Sequence, residues 1–113
     1  GMLQRVLASS GAQPDALTRS RYETLFTNPM HVAGTLAMMS RWELPALVRD
    51  ARRLATPLVC LAGAADRWVS TEQLERVLRG IPCATLTVYG RAGHLLPEEA
   101  PGACTETILA AAA

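Results

Sequence analysis

Residues 57–101 read PLVCLAGAADRWVSTEQLERVLRGIPCATLTVYGRAGHLLPEEAP, from Pro57 to Pro101, and the fold turns on this stretch. Leu58-Val59-Cys60-Leu61-Ala62 is continuously apolar, the pattern of a strand buried on both faces of a parallel sheet, and Gly63 ends it. Asp66 follows at once. From Ser70 to Arg79, Leu74, Val77 and Leu78 recur at helical spacing, with Ser70 or Thr71 able to cap the start and Gly80 and Pro82 stopping the end. A second apolar run, Ala84 to Tyr89, ends in Gly90. Strand, helix, strand in this order is a right-handed crossover unit. Both strands then point the same way, and both following loops emerge at one carboxyl edge. Neighbouring strands lie roughly 5 Å apart, so Asp66 and His94 are expected to face each other in the crevice where sites of open α/β sheets form.

Working outward, the amino-terminal half reads as helices. Met2 to Ala8 forms a short helix broken by Ser9-Ser10-Gly11. Asp15 can cap a second carrying Leu17, Tyr22, Leu25 and Phe26. Asn28-Pro29 restarts a third, with Asn as cap, Pro at the first helical position, and Met30, Ala33, Leu36, Ala37 and Met39 on one stripe. Glu43 to Leu54 is amphipathic, with Leu44, Leu47, Val48, Ala51 and Leu54 opposite Arg49, Asp50, Arg52 and Arg53. Beyond His94, Pro97 to Ala113 reads as a terminal helix, in which Glu98 and Glu99 suit the start. No internal repeat or linker is visible. Two continuous apolar strands expect neighbours, and a two-stranded sheet is marginal alone. The expectation is therefore that the chain is the carboxyl-terminal portion of a larger α/β protein, or that something else completes its sheet.

Composition excludes several classes. Eleven basic residues, all arginine, against ten acidic ones give a net charge of +1, which argues against a nucleic-acid or anionic-membrane surface. Cys60, Cys83 and Cys104 are odd in number and lack a C-x-x-C pair, so neither a zinc site nor a disulfide framework is indicated and a reducing cytoplasm fits best. No cofactor or metal is expected. Nothing approaches the roughly 20 apolar residues of a membrane span, and no leader precedes the core. Gly1 reads as a cloning remnant before a start at Met2.

The chemistry suggested by Asp66 and His94 is that of the last two members of an acyl-transfer triad. There an acid fixes the histidine tautomer, and the histidine deprotonates a nucleophile. The order serine, acid, histidine is that of the α/β-hydrolases, whose serine occupies a G-x-S-x-G elbow. Serines stand at 9, 10, 20, 40 and 70, none of them in that motif. Gly63-Ala64-Ala65-Asp66-Arg67-Trp68-Val69 resembles the G-x-x-D-x-x-V acid loop of the α/β-hydrolase superfamily, and Gly93-His94-Leu95-Leu96-Pro97-Glu98-Glu99-Ala100-Pro101 resembles its histidine loop. The upstream stretch Asn28 to Leu44 resembles the end of a cap domain. Within the superfamily the likeness is greatest to the magnesium-chelatase accessory proteins of bacteriochlorophyll synthesis. The resemblance implies an α/β fold, the carboxyl-terminal part of an α/β-hydrolase. Residues 1–55 would be a cap-type helical segment and linking helix, and 56–113 a core segment of strand, helix, strand, helix with parallel strands. The nucleophile-bearing half would be absent.

By that resemblance Asp66 is the triad acid and His94 the base. Three functions follow as expectations. One is a serine hydrolase whose nucleophile lies upstream. Another is an accessory scaffold for magnesium insertion that binds chelatase subunits or a porphyrin. The third is a truncated, non-catalytic module that self-associates through its incomplete sheet. Met30, Met38 and Met39 are candidates for an apolar ligand pocket, with core packing as the alternative. His31 has no identifiable partner, and Trp42 and Trp68 either border the cleft or bury their rings.

Overall fold

Local sequence signals set the helix ends. In the computed structural model, which describes residues 1–113, α1 (Met2–Ser10) stops at Gly11, whose φ of 76° is the left-handed conformation that glycine adopts without a Cβ penalty. The Asp15 carboxylate accepts from the Thr18 backbone N–H at 2.7 Å and starts α2 (Ala16–Phe26). Asn28 accepts from the N–H groups of Met30 and His31, and Pro29 opens α3 (Pro29–Met39). Side-chain caps of this kind are each worth about 1 kcal/mol. Then follow α4 (Leu44–Ala51), β1 (Leu58–Gly63), α5 (Thr71–Leu78), β2 (Ala84–Tyr89), α6 (Leu96–Glu99) and α7 (Pro101–Ala112). Ser70 and Gln73 exchange side-chain and backbone hydrogen bonds in a full capping box at the start of α5.

The chain is thus a small α/β domain with seven helices and a two-stranded sheet. β1 and β2 pair in parallel from Leu58 opposite Ala84 to Gly63 opposite Tyr89. The terminal helix expected from Pro97 onward is divided. Ala100, at φ −139°, leaves helical geometry, and Pro101 restarts the chain as the first residue of α7.

The expectation of a strand buried on both faces is not met. Val59 is 41% exposed, because a sheet of two strands cannot cover both sides of β1. Only 12 of 113 residues are buried, so the core is thin, and the apolar faces of α3 and α4 stand open at Met30, Leu36, Leu44 and Leu47. Two small clusters do the packing. Leu3, Leu7 and Ala12 gather Tyr22, Phe26 and Leu95, while Ala92, Leu96 and Cys104 gather Leu61, Tyr89 and Ala100. Leu95 belongs to the first and Leu96 to the second, so the residues just after His94 are anchored on both sides. No helix is long and apolar enough to cross a membrane.

Candidate acid and base site

The site is assembled where three stretches of main chain cross. Ala64 N–H donates to Tyr89 O, and Ala65 N–H to Ala92 O at 2.9 Å, so the loops after β1 and β2 run against each other. Arg67 N–H donates to Ser10 O, which brings in the end of α1. Side chains have no room at the crossing. A Cβ on Gly93 would strike the Gly11 carbonyl, one on Gly63 would strike the carbonyls of Ala92 and Gly93, and one on Gly11 would strike that of Ala65. Glycine is the residue that lets backbones approach this closely.

Asp66 divides its carboxylate between two tasks. Oδ1 accepts from the N–H groups of Trp68 at 2.8 Å and Val69 at 3.0 Å, which fixes the side chain in its own loop. Oδ2 lies 2.9 Å from His94 Nδ1. The Asp66 side chain is 12% exposed and that of His94 33%, so the acid is shielded and the ring is reachable. Burial alone would raise the Asp66 carboxyl. The hydrogen bonds from Val69, His94 and Trp68 outweigh it and hold the group below its ordinary value of 3.8. An ionised carboxylate only accepts, so Nδ1 carries a proton, and in the neutral ring the lone pair is then on Nε2. The Trp68 ring packs against the His94 imidazole, with centroids 4.8 Å apart and planes at 55°, and its Nε1 donates to Ser9 Oγ at 3.2 Å. The arrangement can orient an imidazole as a general base.

Compared with known proteins, the chain matches no protein-family model. It is 35% identical over 105 residues to the magnesium-chelatase 30 kDa subunit of Rhodobacter capsulatus, an alignment that covers 93% of this chain and 37% of that protein. The likeness is to a magnesium-chelatase subunit. The chain spans little more than a third of that relative's length.

Asp66 and His94 are thus brought together, and no serine hydroxyl hydrogen-bonds the His94 ring. Ser9 donates to Val6 O and Ser10 to Leu7 O. His31 stands apart on α3, in an apolar cleft of about 350 Å³ whose walls include Val6, Phe26, Val32, Met39 and Trp68. Of the methionines proposed for such a pocket, Met39 lines it, while Met30 and Met38 do not, and all three are exposed. Trp68 borders the cleft on one side and His94 on the other. Trp42 is 53% exposed and is not among the cleft's lining residues. No group of three or more His, Cys, Asp or Glu side chains stands together to hold a metal ion.

Two residues read in the sequence as helix starters within the histidine-loop stretch have larger structural roles. Glu98 accepts from the Tyr22 hydroxyl at 2.8 Å, joining α6 to α2. Glu99 accepts from the backbone N–H groups of Gly93 and Gln13. Their place directly after Gly-His-Leu-Leu-Pro was the available signal. Their partners, 76 and 86 residues away in Tyr22 and Gln13, were not readable.

Proposed function

We propose that the chain is the carboxyl-terminal portion of an α/β-hydrolase-type protein that serves magnesium chelatase as an accessory subunit in bacteriochlorophyll synthesis. The observation that carries this reading is the 35% identity with the Rhodobacter capsulatus magnesium-chelatase subunit, which runs through nearly the whole chain. The two parallel strands followed by Asp66 and His94 support the hydrolase-type fold. The apolar cleft beside Trp68 offers a wall for one edge of an apolar ligand such as a porphyrin, and the partners under this reading are the other chelatase subunits. The uncovered apolar faces and the two-stranded sheet favour self-association when this segment stands alone.

A second reading is favoured by one specific distance. The 2.9 Å contact between His94 Nδ1 and Asp66 Oδ2 supports an acid and base pair of a serine hydrolase whose nucleophile would be supplied by sequence upstream. In that case Asp66 holds the Nδ1–H tautomer and Nε2 takes the nucleophile's proton.

The full-length protein carrying Asp66→Asn or His94→Ala separates the two. Under the accessory reading, both variants still co-purify with chelatase subunits and sustain pigment formation in a strain lacking the native gene. Loss of pigment together with loss of a measurable esterase activity would sink that reading and leave the hydrolase. The 113-residue chain by itself is expected to show no His94-dependent ester hydrolysis, since residual triad catalysis rests on an oxyanion hole and substrate binding.

A further inference from the structure

We propose that Glu99 is a positioning residue for His94, a clasp that sets the height of the histidine loop and so the aim of the imidazole at Asp66. The proposal rests on reading Asp66 and His94 as the functional pair. Gly93, the residue immediately before His94, donates its N–H to both Glu99 oxygens, at 3.2 Å to Oε1 and 3.1 Å to Oε2. Oε1 also accepts from Gln13 N–H at 2.9 Å, so one carboxylate bridges the histidine loop and the turn between α1 and α2. This bridge sits on the Gly11 and Gly93 crossing, where the two backbones already touch. Charge-assisted bonds from backbone N–H to a carboxylate are among the stronger hydrogen bonds in proteins, and here they act one peptide from the ring.

The neighbouring attachments show why Glu99 matters. Ala92 is tied to the acid loop through its carbonyl, and Leu95 and Leu96 are held by packing in separate clusters. Gly93 has no side chain to pack, and its N–H is held by Glu99 alone. Without the clasp, the Ala92–Gly93 peptide is held only at its carbonyl end, by Ala65 N–H, so the chain entering His94 can tilt and loosen the ring from Asp66 while the fold persists. Glu98, one residue earlier, bonds Tyr22 and touches neither Gly93 nor Gln13, which makes it an internal control.

The test reads the imidazole rather than turnover. Full-length wild-type, Glu99→Ala, Glu99→Gln, Glu99→Asp and Glu98→Gln proteins, labelled with ¹⁵N-histidine, are compared by NMR for the His94 tautomer and for exchange of its Nδ1 proton. Expected results are a proton held at Nδ1 in wild type and exchange at least ~10-fold faster in Glu99→Ala. Glu99→Gln, which keeps an acceptor oxygen, should recover most of the protection, and Glu98→Gln should match wild type. Should Glu99→Ala fail to fold, Glu99→Asp, one methylene too short to span both donors, supplies the same comparison. Unchanged His94 signals in a folded Glu99 variant, or an equal disturbance from Glu98→Gln, would overturn the proposal. A merely structural Glu99 would lower the melting temperature and leave the ring's tautomer alone. Because no assay of chelatase or esterase activity enters, failure here is distinct from failure of the proposed function.

Discussion

The hydroxyl of Tyr22 on α2 donates to Glu98 Oε1 on α6 at 2.8 Å, a bond between a helix at the start of the chain and the turn that follows His94. Burial, and then the Glu98 carboxylate that this bond serves, push the phenol up to about 12. A folded-state value above the unfolded one gives stability that is fully present below about pH 10. It is lost as pH rises through the folded value of about 12. Ultraviolet titration of the wild type minus Tyr22→Phe should therefore show one phenol ionising late. Tyr22→Phe should cost about 1 kcal/mol at neutral pH, a difference that vanishes in strong alkali. A phenol titrating near its ordinary value would contradict the contact.

Asp66 has the opposite sign. Its carboxyl lies below the ordinary 3.8 because hydrogen bonds from Val69, His94 and Trp68 exceed the cost of burial. Its contribution is present above the ordinary value and is lost as pH falls through the lower folded one. Asp66→Ala leaves Trp68 N–H, Val69 N–H and His94 Nδ1 without their acceptor and should cost about 1–3 kcal/mol near neutrality. Melting temperatures of wild type and variant should converge as the solution is taken below about pH 4. Parallel curves across that range would refute the assignment.

Gly93→Ala tests the crossing of main chains. The new methyl group would meet Gly11 O, Gly11 C and Ala12 N, all backbone atoms that cannot swing aside, so the loops must part. A loss of at least about 2 kcal/mol is expected, together with a displaced His94 resonance. Gly90→Ala, with nothing within 4 Å, should change stability little. If the two substitutions behave alike, the crossing is not as close as described.

Gly34 lies inside α3, and a Cβ there meets nothing within 4 Å. Gly34→Ala should raise stability by about 0.5–1 kcal/mol through helix propensity and a stiffer unfolded chain. Urea unfolding at fixed pH would reveal it, and a destabilised variant would mean that another surface packs against α3.

The sequence announced local features well and distant ones poorly. β2 runs over Ala84–Tyr89 as its apolar run indicates, and Ser70, Asp15 and Asn28 cap their helices because capping needs only residues two or three apart. The meeting of Asp66 and His94 was legible because parallel strands deliver both loops to one edge. The break at Ala100 was missed, although Pro101 marks it, since Glu98 and Glu99 made a continuous helix look favourable. The bridges from Glu98 to Tyr22 and from Glu99 to Gln13 depend on how α1 and α2 fold back onto the histidine loop. No periodicity within either segment records that.

The glycine crossing has a historical consequence. An acid and an imidazole brought together by touching peptide groups place few demands on the identity of surrounding side chains, so the geometry can survive their replacement. Related chains can redecorate the helices that face outward and still inherit an acid aimed at an imidazole. The arrangement persists for as long as Gly11, Gly63 and Gly93 keep their backbones in touch.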